Sequence, residues 1–205
     1  MAANYNAVAR EGAWEVLALR SFFGKKRKSS KSESDGDSIS DAAVGDVFTV
    51  TDLSIEYEDS YFIIEKLNRY KSDWGEWYEI LGVDRDKRLW VYWSGPRGVN
   101  VSIMMDERPV GLATLGIDEE TLAQMDEAQS IDSVIEIDGE AYYYSNSAEA
   151  FLYEDNTGKG RGFYVWDFAS EDGNDMLSID KWEGVPFQGH FVESVAPESV
   201  SLYKR

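Results

Sequence analysis

Acidic and aromatic side chains alternate in one short segment, and their spacing could serve a binding site. Trp74, Glu76, Trp77 and Glu79 lie close together in the sequence. Carboxylates attract cations, and the faces of aromatic rings bind cationic groups or sugars. Paired carboxylates also carry out glycoside hydrolysis. However, the chain has 39 Asp and Glu residues, so chance pairs are frequent. We therefore name these four residues as a candidate ligand surface. The alternative is the edge of an ordinary β core.

The single histidine is the next residue that could take part in chemistry. A Ser–His–Asp triad, or a zinc site with imidazole ligands, would have to use His190, because the chain has 1 His and no Cys. His190 is flanked by Gly189 and Phe191 and has no partner ligands at metal-site spacing. It is therefore more typical of a strand surface. We predict no catalytic residue and no metal site.

Acidic and glycine-rich segments elsewhere could bind calcium or phosphate. Residues 155–158 and 171–175 combine Asp, Asn and Gly but lack the complete pattern of a calcium loop. Residues 95–98 and 158–162 are rich in Gly. A phosphate-binding loop also needs a Gly-Lys-Ser/Thr ending and a following helix. Because these residue types are common in hairpin turns, we predict turns here and no cofactor.

Aromatic, aliphatic and basic side chains cluster near the N-terminus. Trp14, Leu17, Phe22 and Phe23 precede a basic run made of Lys25, Lys26, Arg27 and Lys28. The apolar side chains of such a segment enter a membrane interface, and each basic residue adds about 1 kcal/mol of attraction to anionic lipid. We predict that these residues dock to an anionic membrane surface or to a protein partner. The alternatives are packing on the body of the protein and charge pairing with it.

Charge is unevenly distributed along the chain. The formal net charge is −19; residues 1–31 contain 7 basic and 2 acidic residues, so they carry +5 and the remainder carries −24. An acidic body repels phosphate backbones, which argues against nucleic-acid binding. Basic proteins, polyamines or other cations are the partners that this charge favours. The alternative is that the acidic residues only keep the protein soluble.

Composition predicts a folded protein of the cytoplasm. Hydrophobic residues make up 43% of the 205 residues and aromatic residues 14%, which is enough for a packed core. The absence of Cys fits a reducing compartment. No apolar stretch approaches the roughly 20 residues that span a bilayer, and no secretion signal is recognisable. We predict a cytoplasmic location with peripheral attachment to the inner membrane.

Three zones of the chain position these residues. We predict that residues 1–28 form a basic amphipathic arm with a helix over 5–23, and that residues 29–43, which are polar and Ser-rich, form a flexible linker. From residue 44 onward, alternating apolar and polar residues predict strands. We place these strands at 47–50, 53–57, 61–67, 77–83, 89–93, 99–105, 131–137, 140–144, 148–154, 161–168, 176–182, 190–195 and 200–203.

Two local signals and one long-range pattern complete the fold prediction. Asp118 is placed to cap a short helix, and Asp138 followed by Gly139 is typical of a type I′ hairpin turn. Residues 62–93 and 151–182 share the offset that relates Trp77 to Trp166, which suggests a duplication. The alternative is two meanders built from the same kinds of strand.

The predicted fold is mainly β, with two similar antiparallel meander halves that form a sandwich or small barrels. It also has one short connecting helix and the N-terminal helical arm. The predicted zones after the linker are the first half at 44–110, a connecting segment with the helix at 111–130, and the second half at 131–205.

Several short motifs resemble one bacterial family. They are Val44-Gly45-Asp46, Trp74-Gly75-Glu76-Trp77-Tyr78-Glu79-Ile80-Leu81 with Leu89-Trp90-Val91, Gly139-Glu140-Ala141-Tyr142 with Ala148-Glu149-Ala150, and Met176-Leu177-Ser178 with Gly189-His190-Phe191-Val192. Over residues 44–200 they resemble the family called domain of unknown function 4178. The resemblance implies a β-rich fold in tandem halves and similarity to proteins encoded near membrane-stress and polyamine-synthesis genes. It implies no known catalytic residue.

The sequence therefore predicts an accessory binding protein without catalytic activity. Its N-terminal arm would recruit it to the inner membrane surface or to a membrane-stress complex. The first alternative is an acidic neutralising protein of the immunity type, which captures a basic partner. A carbohydrate-active enzyme that uses acids such as Glu76 ranks last, because the chain has no recognisable catalytic motif.

Overall fold

The computed structural model describes residues 37–205 apart from 52, 55, 56, 58, 96, 97 and 99. The predicted arm at 1–28, with all its docking residues, and residues 29–36 of the predicted linker lie outside the described residues. Within the described part, the elements are β1 (Val47–Val50), β2 (Phe62–Ser72), β3 (Gly75–Asp84), β4 (Lys87–Ser94), β5 (Asn100–Met104), α1 (Glu119–Ala128), β6 (Val134–Ile137), β7 (Glu140–Tyr153), β8 (Arg161–Ser170), β9 (Asp175–Trp182), β10 (Gln188–Val195) and β11 (Val200–Tyr203). Short 3-10 helices occur at Ile39–Asp41, Glu154–Asn156 and Pro197–Ser199.

Eight of the described strands close into an antiparallel barrel. Strands β2 to β5, the N-terminal strand group, pair in chain order, and so do β7 to β10, the C-terminal strand group. The two groups join where β5 pairs with β10 and where β2 pairs with β7. The predicted mainly-β class is confirmed. The sequence left open a sandwich or small barrels, whereas the structure has a single closed barrel to which both groups contribute.

Different parts of the chain cover the outer faces of the two strand groups. Strands β1 and β11 and the turn around Ile39 pack over the N-terminal group, in a cluster that includes Phe48 and Ile80. The segment containing α1 and β6 packs over the C-terminal group, where Leu122 contributes to a cluster with Phe168. The main apolar clusters therefore lie outside the barrel wall, and the barrel interior is available for other residues.

A buried carboxylate fastens the two ends of the described chain. Asp46 is 6% exposed, and it accepts hydrogen bonds from the backbone N–H of Ala43 at 2.9 Å and of Arg205 at 3.2 Å. The Lys204 ammonium lies 2.9 Å from the Asp46 carboxylate, and this hydrogen bond is the main reason why the pKa of Asp46 is lowered. Strand β11 can therefore pair with β1, although the two strands lie at opposite ends of the chain.

Residues 37–43, the end of the predicted linker, pack on the barrel. Asp37 forms a β-bridge with Leu202, and Ile39 is 4% exposed. The predicted strand at 53–57 includes residues 55 and 56, which lie outside the described residues. Its described members Leu53 and Tyr57 pack against the same cluster as Ile39, and the Tyr57 N–H bonds the Ser54 carbonyl across a turn.

Strand β7 differs most from the prediction. The sequence predicted two strands, at 140–144 and 148–154. The structure has one 14-residue strand with a register shift between Tyr144 and Asn146. A bulge of this kind absorbs an extra residue and bends the strand without ending it.

Both predicted local signals are confirmed. Asp138 and Gly139 have φ angles of 53° and 86°, as a type I′ turn requires. The Asp118 carboxylate accepts the Thr121 N–H at 2.8 Å and caps α1.

Candidate functional site

A row of polar side chains lines the inner face of the N-terminal strand group. Residues paired directly across antiparallel strands lie on the same face of a sheet. Asn68 pairs with Glu79, Glu79 with Tyr92, and Tyr92 with Ser102. Ile80, the next residue after Glu79, belongs to the covered outer cluster. Because successive strand residues point to opposite faces, the polar row points into the barrel.

Glu79 is the centre of this first row. It is 5% exposed, and its carboxyl group accepts hydrogen bonds from Asn68 Nδ2 at 2.7 Å and from the Tyr70 hydroxyl at 2.9 Å. Tyr92 donates a further hydrogen bond to it. Burial raises the pKa of Glu79 and outweighs the three donors, which favour the ionised form. Burial, followed by the charge of Glu79, also raises the pKa values of Tyr70 and Tyr92 well above normal.

A second row lies on the inner face of the C-terminal strand group. Asn146 pairs with Asp167, Asp167 with Ser178, and Ser178 with His190. Asp167 is 1% exposed and accepts a hydrogen bond from Ser178 Oγ at 2.8 Å. Asn146 also bonds its carboxyl group. Burial raises the pKa of Asp167 from 3.8 to about 7, because the hydrogen bonds only partly offset the loss of solvent.

An acid and an imidazole meet beside these rows. Asp180 Oδ1 lies 3.7 Å from His190 Nε2, and the indole N–H of Trp182 bonds the other oxygen of Asp180. The distance is that of an ion pair, yet burial raises the pKa of Asp180 and lowers the pKa of His190. Burial therefore outweighs the attraction between the two groups and favours their neutral forms. Within the described residues, Asp180 Oδ1 and His190 Nδ1 are buried without a hydrogen-bond partner.

The charge of Asp180 affects the pKa values of residues in the N-terminal strand group. After burial and Glu79, Asp180 is a further cause of the raised pKa values of Tyr70 and Tyr92. It also raises the pKa of Asp167. The two rows therefore face one another across the barrel interior and share one electrostatic environment.

Aromatic rings fill the interior next to these acids. Tyr70 stacks on Trp77 at 5.1 Å, and Phe163 stacks on Trp182 at 4.3 Å. Tyr70 and Phe163 make an edge contact at 5.9 Å, which joins the two stacks. The Arg161 guanidinium lies 4.2 Å from the ring centre of Trp182. Both stacks contact the acids directly, because Tyr70 bonds Glu79 and Trp182 bonds Asp180.

An open cleft lies on the surface where β2 meets β7. Its volume is about 450 Å³, and it exposes Trp74 (48%) and Phe151 (38%) to solvent. Asp73 and Glu149 supply carboxylates to its wall. The other lining residues are Lys71, Ser72, Ser147, Ala148 and Tyr153. The cleft therefore combines aromatic surface with negative charge.

Two glycines lie against the aromatic rings beside the cleft. A Cβ at Gly160 would lie 2.9 Å from the Tyr153 ring, and one at Gly162 would lie 3.5 Å from the Phe151 ring. Gly162 pairs directly with Phe151 across β7 and β8. The missing side chain at Gly160 therefore lets the Tyr153 ring lie against the neighbouring strand, whereas a Cβ at Gly162 would make only an ordinary contact with Phe151.

The structure divides the predicted ligand surface between three places. Trp77 and Glu79 point into the barrel, where they contact the same Tyr70. Glu76 lies on the outer face, with Oε1 3.2 Å from Arg69 and 3.8 Å from Lys71. Trp74 lies in the turn between β2 and β3 and lines the cleft. The division arises because successive residues of a strand point to opposite faces of the sheet. A ligand role for these residues stays a prediction.

The sequence placed His190 on a strand surface and paired Trp77 with Trp166, and the structure corrects both. The His190 side chain is 24% exposed and faces Asp180. Trp77 packs with the interior rings, whereas Trp166 belongs to the outer cluster under α1. The polar rows instead match Glu79 with Asp167. A shift of one residue moves every side chain of a strand to the other face.

Apart from His190, the members of the second row and Asp180 were missed by sequence reasoning. Asp167 stands between Trp166 and Phe168 in an apolar strand. An acid in such a position is a signal for a buried carboxyl group. Its partners could not be found in the same way, because Asn146 and Ser178 are residue types that also occur in turns.

The hydrogen bonds within each row can fix the geometry of the barrel. Among the described residues, no group of three His, Asp or Glu side chains is arranged to hold a metal ion. In the same part of the chain, no helix has both the length and the apolar character needed to cross a bilayer.

The fold and the site define a class of protein: a closed eight-stranded antiparallel barrel with a buried acid cluster and an open aromatic cleft. The profile of the family described as "Domain of unknown function (DUF4178)" matches residues 52–194. The chain therefore belongs to this family, as the motifs predicted. No curated protein and no solved structure matches the chain.

Proposed function

We propose that the protein is an accessory binding protein without catalytic activity that works at the cytoplasmic face of the inner membrane. The observation that carries this proposal is the separation of reactive groups from accessible surface. Glu79 and Asp167 are sealed inside the barrel, whereas Trp74 and Phe151 stand at an open cleft. An accessible surface of rings and carboxylates serves recognition rather than bond making.

The cleft favours a partner with both positive charge and apolar side chains. Carboxylates at Asp73 and Glu149 attract Lys or Arg, and the rings of Trp74 and Phe151 offer cation–π and apolar contacts. A basic protein surface supplies all of these. A polyamine supplies the charge alone, so we rank it second as a partner.

Capture experiments with a matched variant test the partner proposal. We expect a basic protein to be retained by the tagged full chain and lost from a Trp74→Ala/Phe151→Ser variant. Both side chains are partly exposed, so the variant is expected to keep its fold and melting temperature. Equal retention by the two chains would contradict the proposal for the cleft.

The N-terminal arm is the proposed means of recruitment. Residues 14–28 combine apolar and basic side chains, and we propose that they form a helix on an anionic membrane. Flotation with anionic and neutral vesicles tests this. We expect the full chain to float with anionic vesicles only. Replacement of Lys25, Lys26, Arg27 and Lys28 by Ser is expected to lower the bound fraction at least tenfold, at about 1 kcal/mol for each charge. An unchanged bound fraction would rule out arm-driven docking.

A neutralising protein of the immunity type is the second candidate function. The charge of −24 after residue 31 favours fast capture of basic partners, whatever the arm does. This function predicts that the Ser-substituted arm leaves partner capture unchanged and that the partner is itself a toxic basic protein. A partner that binds only on anionic vesicles would instead favour recruitment.

We further propose that the two strand groups are meander halves that arose by duplication. Asn68, Glu79 and Tyr92 stand in one row, and the corresponding row has Asn, Asp and Ser on its first three strands. The same order of amide, acid and hydroxyl supports a common origin. Related chains are then expected to keep both rows polar, and a family in which only one row is polar would contradict it.

A further inference from the structure

The cleft at the β2–β7 junction offers exposed rings and carboxylates on a surface that neither outer apolar cluster covers. Trp74 and Phe151 are the exposed large apolar residues among its lining. Lys71 is the one basic residue of that lining, and its ammonium group is 3.8 Å from Glu76. An occupant that complements this surface would bring apolar side chains together with several positive charges.

The chain itself contains such a segment. Residues 14–28, which lie outside the described residues, include Trp14, Phe22 and Phe23 and the basic run that ends at Lys28. Residues 1–31 carry +5 against −24 in the remainder. Opposite charge at this level attracts the segment to the body, and the rings of the cleft offer a place for its apolar side chains.

The tether is long enough for this contact. Lys28 precedes Asp37, the first described residue, by nine positions, which span up to about 30 Å of extended chain. Trp14 is 23 positions away and reaches up to about 80 Å. A folded body of this length has a radius of gyration of about 15 Å, so the apolar end of the segment can reach any face of it. Tethering also gives the segment an effective concentration in the millimolar range.

We propose that residues 14–28 dock in cis into the cleft formed by Trp74, Phe151, Asp73 and Glu149. This inference rests on the proposed function, because the same segment and the same cleft are the ones that a membrane and a partner would use. Docking in cis holds the chain in a closed form in which neither is available. An anionic membrane competes for the basic run, so it frees the cleft for the partner where the partner is needed.

Distance measurements between two labels test the closed form in the full chain. The chain has no Cys, so introduced Cys residues can be labelled specifically. One label is placed at Ser21→Cys and the other at Lys159→Cys, an exposed residue next to Gly160. Asp86→Cys, in the turn at the other end of β3, supplies a control distance. We expect a short, narrow Ser21–Lys159 distance distribution and a longer Ser21–Asp86 distance.

Two matched variants are used. The cleft variant is Trp74→Ser/Phe151→Ser, and in the arm variant Ser replaces Lys25, Lys26, Arg27 and Lys28. Each variant is expected to give a longer and broader Ser21–Lys159 distance distribution. Addition of anionic vesicles to the parent chain is expected to have the same effect. An unchanged Ser21–Lys159 distance in the cleft variant would overturn the inference. A signal that appears only when singly labelled chains are mixed would also overturn it, because the occupant would then be a second copy.

A vesicle titration separates this inference from the proposed function. If the arm is held in the cleft, the cleft variant is expected to bind anionic vesicles about three- to tenfold more tightly, because the competition has been removed. Equal affinity of the two chains contradicts docking in cis but leaves membrane recruitment standing. Absence of vesicle binding together with a short Ser21–Lys159 distance refutes recruitment but leaves docking standing.

Discussion

The two strand groups of the barrel place the same sequence of polar groups on their inner faces but differ in what completes each row. Glu79 receives donors from Asn68, Tyr70 and Tyr92, and its row ends at Ser102. The second row has a shorter acid with Asn and Ser as donors, and its fourth strand supplies an imidazole. The first row therefore contains a buried acid with three hydrogen-bond donors. The second row contains a buried acid with two donors, and a titratable imidazole lies in the same row.

This difference teaches how one barrel tolerates several buried acids. A buried carboxyl group is acceptable when it is neutral or when donors replace its water. Three donors hold Glu79 in place, whereas Asp167, with two, has a pKa raised to about 7. The C-terminal strand group is therefore expected to respond more strongly to pH than the N-terminal one.

Removal of the Glu79 side chain is expected to have the largest effect. Glu79→Ala leaves Asn68, Tyr70 and Tyr92 without their acceptor and opens a cavity, so we expect a loss of about 3–5 kcal/mol in the free energy of unfolding. Glu79→Gln keeps the volume and one acceptor, and is expected to lose less than half as much. Urea unfolding of both variants measures this. Equal losses would show that the hydrogen bonds of the carboxylate, not the volume of the side chain, hold the first row.

Substitution of Asp167 tests the predicted pH response of the second row. The pKa of Asp167 rises from 3.8 in the unfolded chain to about 7 in the fold, so the folded state holds a proton that the unfolded state releases. The stability that the fold gains from holding this proton is complete below pH 3.8 and is lost as the pH rises to about 7. At about 1.4 kcal/mol for each pKa unit, the loss amounts to a few kcal/mol.

Asp167→Asn is therefore expected to flatten the decline of stability between pH 4 and 7, as followed by thermal melts across that range. Asp172→Asn is the matched control, because Asp172 is exposed and its pKa is lowered, mainly by the Asn174 N–H. An identical pH profile for Asp167→Asn and the parent chain would show that Asp167 is ionised in the fold.

Substitution of the asparagines in the two rows, Asn68 and Asn146, is expected to have a smaller effect on the free energy of unfolding. Asn68 bonds Glu79 and also accepts the Asp155 N–H at 3.1 Å, so it ties β2 to the segment after β7. Asn146 bonds Asp167 at a bulge within one strand group. We expect Asn68→Ala to lose about 2–3 kcal/mol and Asn146→Ala about 1 kcal/mol less. Chemical unfolding measures the free energy of unfolding of both variants. A larger loss for Asn146→Ala than for Asn68→Ala would mean that the barrel depends more on the hydrogen bond at the bulge than on the link between β2 and the segment after β7.

The smallest effect is expected on the outer face of β3. Glu76 pairs with Arg69 and Lys71 at the surface, and exposed ion pairs contribute little. Glu76→Ala is expected to change the free energy of unfolding by less than about 0.5 kcal/mol, with a further decrease at high salt. A loss comparable to that of Glu79→Gln would show that the outer face stabilises the barrel as much as the inner row.

Local patterns in the sequence were sufficient for most of the strands, for the Asp118 cap and for the turn at Asp138 and Gly139. These features depend on neighbours within a few residues, and alternation, capping and positive φ are properties of such short segments. The family was also recognisable from short motifs. The bulge in β7 was not, because Ser and Asn fit a turn and a bulge equally well.

The sequence by itself determined that the chain is β-rich, that its charge is divided between a basic start and an acidic remainder, and where most strands lie. Only the tertiary structure decided that both strand groups close one barrel, that Glu79 and Asp167 are both buried inside it, and that Trp74 lies at a cleft. The physical reason is that these properties depend on register and closure between strands far apart in the chain. A difference of one residue in that register exchanges the inside and the outside of the barrel.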